Sequence, residues 1–227
     1  MWLWALSLLC LGALAPLPAA AQTPTPAPRP PGPYVLDVRV ATSALPRDAS
    51  FFPPLPSVTA VPAYGLGFEV GAHIYLIQLG PARLGIGASV LRTRGRSSPG
   101  RPAGSATSTS PDVDSTLTNV APQLSLNFGS REGWSYISAG VGQGDVQTAT
   151  SAFTASGSGS AALRTPARSS DNPPVQSLNF GGGARWFTHA HLAFSFDVRF
   201  HVLAAGAGGG ASLRTTLVAG SAGISLR

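Results

Sequence analysis

Hydrophobic and polar residues alternate along most of this chain with a period of two. The clearest stretch is Val175–Leu203, VQSLNFGGGARWFTHAHLAFSFDVRFHVL. In its second half Leu192, Phe194, Phe196, Val198, Phe200 and Val202 share one parity, and Ser195, Asp197, Arg199 and His201 hold the other. In its first half Leu178, Phe180, Ala184 and Trp186 alternate with Ser177, Asn179, Gly181, Gly183 and Arg185. A period of two puts the two sets on opposite faces of an extended strand. Only Thr188–His191 separate the halves, enough for the turn of an antiparallel hairpin and too little for a crossover.

The same pattern predicts six further strands. Tyr34–Thr42 sets Leu36, Val38 and Val40 against Asp37 and Arg39. Ala63–Ile77 sets Tyr64, Leu66, Phe68, Val70, Ile74 and Leu76 against Glu69, Gly71, His73 and Tyr75. Ala82–Arg92 sets Leu84, Ile86, Ala88 and Val90 against Arg83, Gly85, Gly87 and Ser89. Thr116–Phe128 sets Val120, Leu124, Leu126 and Phe128 against Gln123, Ser125 and Asn127. Trp134–Val146 is weaker, with Ile137, Ala139 and Val141 against Tyr136, Ser138 and Gly140, and Arg214–Leu226 closes the set. Helices find no support, because Gly and Pro interrupt every candidate stretch and no stripe of period 3.6 survives.

The joints between these strands are of two kinds. Gln78–Pro81, Gly129–Gly133 and Thr188–His191 are short. Ser43–Pro62, Thr93–Ser115, Gln147–Pro174 and Ala204–Leu213 are long and rich in Ser, Thr, Ala, Gly and Pro. The two kinds alternate strictly. Parity alone does not choose between a soluble sheet, greasy face in the core, and a transmembrane barrel, greasy face in lipid. Loop alternation does, because in an up-and-down barrel it gathers all long loops at one end and all tight turns at the other. Strands of about 12 residues are also long for a soluble sheet and suit a tilted membrane crossing. The predicted class is therefore all-β, an eight-stranded antiparallel up-and-down transmembrane β-barrel over residues 34–227. Tyr34, Tyr75, Phe128, Trp134 and Trp186 fall beside the short-turn end and are expected to form an interfacial girdle there.

Ahead of the barrel, residues 1–21 form an apolar run ending in small residues, with Ala19 and Ala21 in a small–x–small pattern. This reads as a signal peptide cut before Gln22, although no Lys or Arg precedes the apolar core. Cys10 is the only cysteine and follows Leu9 rather than a small residue, so a lipidated cysteine is not expected. The mature chain then carries no thiol chemistry. Residues 22–33, QTPTPAPRPPGP, form a Pro-rich extended spacer.

Composition changes the picture in two ways. Charged residues make up 11% of the chain, well below the roughly 25% of soluble domains. The net charge of +6 comes from scattered arginines, without a clustered footprint or an RNA-binding motif, so nucleic acid is not an expected partner. The polar face carries the candidate chemistry. Asp37, Arg39, Glu69, His73, Arg83, Arg185, Asp197, Arg199 and His201, with Gln123, are expected to face the lumen. Eight strands leave a lumen wide enough only for side chains. Charges there must be paired, and a plug of paired charges is the expected arrangement. Ser195, Asp197 and His201 share one strand face, where Asp197 and His201 lie about 13 Å apart, so no catalytic triad is expected. His189 and His191 offer at most two metal ligands, and no Gly-Lys-Ser/Thr follows the glycine runs, so neither metal nor other cofactor is expected.

Residues 179–201, NFGGGARWFTHAHLAFSFDVRFH, resemble the β-hairpin of small outer-membrane barrels of the OmpA/OmpX-like and opacity-like superfamily. Residues 126–142, LNFGSREGWSYISAGVG, look like an earlier hairpin of the same kind. The resemblance covers about Tyr34–Arg227 and is architectural. It implies a monomer in the cell outer membrane of a Gram-negative-type bacterium, surrounded by outer-membrane lipid and inserted by the barrel-assembly machinery. Such barrels usually end on an aromatic residue, whereas this chain ends Ile224-Ser225-Leu226-Arg227. Lipid A deacylases of this barrel size use a His-x-Ser pair, and no His here is followed two residues later by Ser. The expected role is structural or surface-interacting and non-enzymatic. The alternatives are an outer-membrane lipid-modifying enzyme, a small diffusion pore and, last, a soluble lipocalin-like ligand-binding barrel.

Overall fold

The computed structural model describes residues 32–48, 51, 60–98, 111–129, 132–155, 163–171, 173–205 and 213–227. Residues 1–21 and all of the spacer but 32 and 33 lie outside them. Eight long strands form the wall: β1 (Tyr34–Ala44), β2 (Tyr64–Leu79), β3 (Ala82–Ser97), β4 (Val113–Gly129), β5 (Gly133–Thr150), β9 (Val175–Phe187), β10 (Leu192–Ala205) and β11 (Leu213–Leu226). Each pairs antiparallel with its sequence neighbour in the wall, and β1 pairs with β11, so the sheet closes on itself.

Closure is staggered. From Asp37 the register passes through Gly71, Ser89, Ala121, Gly142, Ser177, Leu203 and Thr215, and would return to β1 at the level of Arg47. Such a stagger accompanies the strand tilt that a closed barrel requires. Tight curvature also brings neighbouring backbones close. A Cβ at Gly181 or Gly183 would stand 2.3 Å or 2.1 Å from the carbonyl oxygens of Val198 and Phe196, so only glycine fits at these two inward positions.

The strands run further than their alternation predicted, chiefly at the long-loop end. There β5 continues to Thr150 while β9 begins only at Val175, opposite Gly144. This leaves an edge of β5 unpaired, and β8 (Arg168–Asp171) covers it by pairing with Gln147–Thr150. In the same connection β6 (Phe153–Ala155) and β7 (Leu163–Thr165) pair as a separate two-stranded sheet. The sequence placed all three in an irregular loop, because short polar pieces carry no periodic signal.

Two zones stack along the barrel axis. In the lower one, the band, outward side chains are apolar and exposed: Val40, Phe68, Ile86, Val120, Leu124, Ile137, Phe194 and Phe196 are examples. Ring pairs Phe180–Phe200 and Trp186–Phe196 stack across β9 and β10 with centroids 5.3 Å and 5.2 Å apart. At ~3.4 Å per residue and a tilt of ~40°, Leu192–Val202 rises roughly 25 Å, the height of a transmembrane apolar belt. In the upper zone, the collar, outward residues turn polar. Examples are Arg92, Arg94 and Arg96 on β3, Thr116 and Thr118 on β4, and Gln143 and Gln147 on β5.

Candidate functional site

The band's lumen is occupied by inward polar side chains from all eight strands, with serines of β3 and β11 joining those of the other six. Parity places them: each is flanked in sequence by two lipid-side residues. Asp37 and Arg39 come from β1, Glu69 and His73 from β2, Gln123 from β4, Tyr136 and Ser138 from β5, Asn179 and Arg185 from β9, and Ser195, Asp197, Arg199 and His201 from β10. All are buried.

Three carboxylates and three guanidinium groups form a continuous layer. Arg185 grips Asp37 with two parallel hydrogen bonds, Nε to Oδ1 at 2.8 Å and Nη2 to Oδ2 at 2.7 Å. This two-point geometry is the strong form of an Arg–carboxylate pair. Arg39 lies 2.9 Å from the same carboxylate and 3.8 Å from Glu69. Arg199 reaches Glu69 at 3.7 Å and Asp197 at 3.0 Å, while Ser221 and Ser225 donate to Glu69 and Asp37. The formal charges of the layer cancel, as burial demands.

Tyr136 ties the layer together. Its hydroxyl donates to Asp197 at 2.6 Å and accepts from Arg39 at 3.0 Å, and the Arg185 guanidinium carbon sits 3.9 Å from its ring centroid. Sequence reasoning put Tyr136 on the polar face but not in the network. The available signal was a second aromatic, after Trp134, in an inward file that continues with Ser and Gly. A second network joins His73, Gln123, Ser89, Asn179 and Arg199 through amide and ring hydrogen bonds of 2.7–3.3 Å.

Of the nine residues expected in the lumen, eight lie there. Six of them make the ion-paired layer, His73 bonds Gln123 at 3.1 Å, and His201 bonds nothing among the described residues. Arg83 is the correction. It has inward parity, but it stands one residue past the β2–β3 turn, at the rim, and its Nε donates to exposed Gln78 at 2.7 Å. Ser195, Asp197 and His201 do not form a relay. Ser195 accepts from Arg39 at 3.1 Å, and Asp197 accepts from Tyr136 and Arg199.

Apolar clusters stand at both ends of the lumen. At the short turns Val35, Tyr75 and Trp134 pack together with Phe187 against them, and the Arg227 guanidinium lies 3.9 Å from the Phe187 ring. This corrects the expected girdle. Tyr34 and Trp186 are 56% and 53% exposed on the outside and Phe128 joins them, but Tyr75 and Trp134 are 4% and 1% exposed because their parity turns them inward. At the long-loop end Leu117, Val146, Leu203 and Leu217 point in, and Leu45 and Phe51 fold over from the β1–β2 connection.

No group of three or more His, Cys, Asp or Glu suited to a metal ion occurs among the described residues. No family model and no curated protein matches the chain. Among solved structures it is similar to Ail, the attachment invasion locus protein of Yersinia pestis. Identity there is 13%, over 85% of this chain and 96% of that one, with a TM-score of 0.46. It is also similar to Neisserial surface protein A, at 12% identity over 86% and 97%, with a TM-score of 0.48. Similarity to the outer membrane protease OmpT from Escherichia coli is lower, at 7% identity over 73% and 64%, with a TM-score of 0.39. The strand pairings themselves establish the architecture: a closed eight-stranded antiparallel up-and-down barrel, of the kind found in the small outer-membrane barrels that the sequence resembles.

Proposed function

We propose that the chain is an integral outer-membrane barrel with a plugged lumen and a structural or surface-interaction role, acting neither as a pore nor as an enzyme. The observation that carries this reading is a lipid-type outer wall around a lumen occupied by a charge-balanced layer between two apolar clusters. Apolar clusters stand above and below a charge-balanced layer, an arrangement that supports a lumen occupied by side chains rather than an open channel. In a soluble lipocalin-like barrel the exposed Phe, Leu and Val of the band would face water, an arrangement that soluble monomers avoid.

On this reading residues 1–21 direct export and are removed after Ala21, outer-membrane lipid covers the band, and the barrel-assembly machinery inserts the chain as a monomer. The long connections face outward. Protease added to intact cells should cut between Ser97 and Val113, and cutting only in opened cells would overturn this orientation.

Conductance tests the plug. The purified, folded protein should give no steady conductance in a planar bilayer. Large, stable, ion-selective openings would contradict the plug and put the small diffusion pore first.

A further inference from the structure

Beside the apolar cluster at the long-loop end, four buried polar atoms find no hydrogen-bond partner among the described residues: His201 Nδ1 and Nε2, Asn119 Oδ1 and Asn179 Nδ2. They belong together. Asn179 and His201 are register partners on β9 and β10. Asn119 reaches β9 from β4 by passing over β5, whose inward positions there are Gly140, Gly142 and Gly144. Its Nδ2 donates to Ser177 Oγ at 2.7 Å, one inward position from Asn179. Gln123 crosses the same glycines and donates to Asn179 Oδ1 at 2.9 Å.

The orientation of Asn179 is settled by its neighbours, because Oδ1 accepts from both Gln123 and Arg199 and so Nδ2 must point elsewhere. Asn119 can be turned end for end, since the Ser177 hydroxyl can donate as well as accept. Either way one of its two amide atoms is left over. Small inward residues at this level include Ala41, Ala121 and Ala219, while Leu91 stands opposite Asn119 and Leu217 opposite His201 in register. Asn119, Asn179 and His201 are all but fully buried, so bulk solvent does not serve them.

The leftover atoms identify the ligand. A neutral imidazole offers one donor and one acceptor, Asn179 offers donors, and Asn119 offers an acceptor or, turned, donors. A mixed, uncharged set suits neither cation nor anion, whereas water both donates and accepts and typically makes about three such bonds in buried sites. We propose that His201, Asn119 and Asn179 form an internal hydration site, holding water between the charge layer and the long-loop cluster. The inference rests on the plugged-lumen reading, since only a closed lumen keeps that water from exchanging freely.

Magnetisation transfer from water in the lipid-embedded protein tests it, read at the Asn179 side-chain amide and the His201 ring, with the Leu117 and Leu203 methyls as controls. Long-lived water at the first pair and none at the methyls supports the site. No water at any of them overturns the site and leaves the plug standing. Rapidly exchanging water at all of them, methyls included, overturns both. His201→Phe should reduce the water signal at Asn179 several-fold, and an unchanged signal overturns the assignment. Should that variant not fold, Asn119→Val carries the same expectation.

Discussion

On β4, Phe128, Leu126, Leu124 and Val120 point outward while Asn127, Ser125, Gln123 and Asn119 point inward. A few residues further along the same strand, Thr118, Thr116 and Asp114 point outward and Leu117 and Val113 point inward. The inversion recurs around the barrel. On β3 outward Val90 gives way to Arg92, Arg94 and Arg96 while Leu91 faces in. On β5 Val141 gives way to Gln143, Asp145 and Gln147 while Val146 faces in. On β11 Val218 gives way to Thr216 and Arg214 while Leu217 faces in. Strand geometry is continuous across the change, so the surroundings have changed. In the band the outside must satisfy lipid and the polar groups retreat to the lumen. In the collar water lies outside, and the lumen receives Leu45, Phe51, Leu117, Val146, Leu203 and Leu217 interspersed with small Ser and Thr side chains. Strand β2 departs from the rule: Leu66, opposite Arg94, and Tyr64 stay outward and exposed, which nothing in the structure explains.

The largest effect should come from the band's interior. Arg185→Met leaves the buried Asp37 carboxylate without its two-point partner and should cost ~3–5 kcal/mol of folding free energy in lipid. Replacing Asp37 and Arg185 together with apolar residues should recover part of that loss, and a double variant no better than the single would contradict the pairing.

On the outside, charge tolerance should track the zone. Phe196→Arg in the band should cost ~2–4 kcal/mol, whereas Thr118→Arg, past the inversion, should cost within about 1 kcal/mol of zero. Equal costs in a refolding titration would erase the distinction between the two zones. In the collar's core, Leu203→Ala should cost ~2–3 kcal/mol by loss of apolar contact. A neutral result there would mean that the inward leucines do not pack as a core.

The collar's exposed ion pairs should matter least. Arg94–Asp114 at 3.2 Å and Arg96–Asp112 at 2.6 Å are water-exposed, and Arg94→Ala should change stability by less than ~1 kcal/mol. The hydrogen bond from Arg96 to Asp112, aided by one from Ser98, holds the Asp112 carboxyl below the ordinary carboxylate range. A lowered acid stabilises the fold above its unfolded value and loses that contribution as pH falls through its folded value. Amide exchange at the ends of β3 and β4 should therefore quicken only below the ordinary carboxylate range, and no change there would contradict the pairing.

Alternation made the band legible in sequence. Leu192–Val202 reports both its faces because each residue type belongs to one of two media. Parity also contained more than its first reading drew from it. Tyr75 and Trp134 lie on the polar-face file, yet their identity as aromatics placed them at an outer girdle. Arg83 failed for the opposite reason: its parity was right, but at a strand's end the lumen gives way to the rim. The collar stayed hidden because its inversion restores the pattern of a soluble sheet, which blurs the alternation where the two zones meet. Pairings such as Arg185–Asp37, 148 residues apart, depend on stagger and on which glycines let side chains cross, and neither is written in local periodicity.

The inversion itself can be measured along one strand. Spin labels placed singly at Leu124, Val120, Thr118 and Thr116 of the lipid-embedded protein report whether oxygen, which partitions into lipid, or a water-soluble nickel chelate reaches each site. Oxygen should dominate at Leu124 and Val120 and the chelate at Thr118 and Thr116, with the crossover between Val120 and Thr118. Chelate access at all four positions would show that no part of this wall meets lipid, and oxygen dominance at all four would remove the collar.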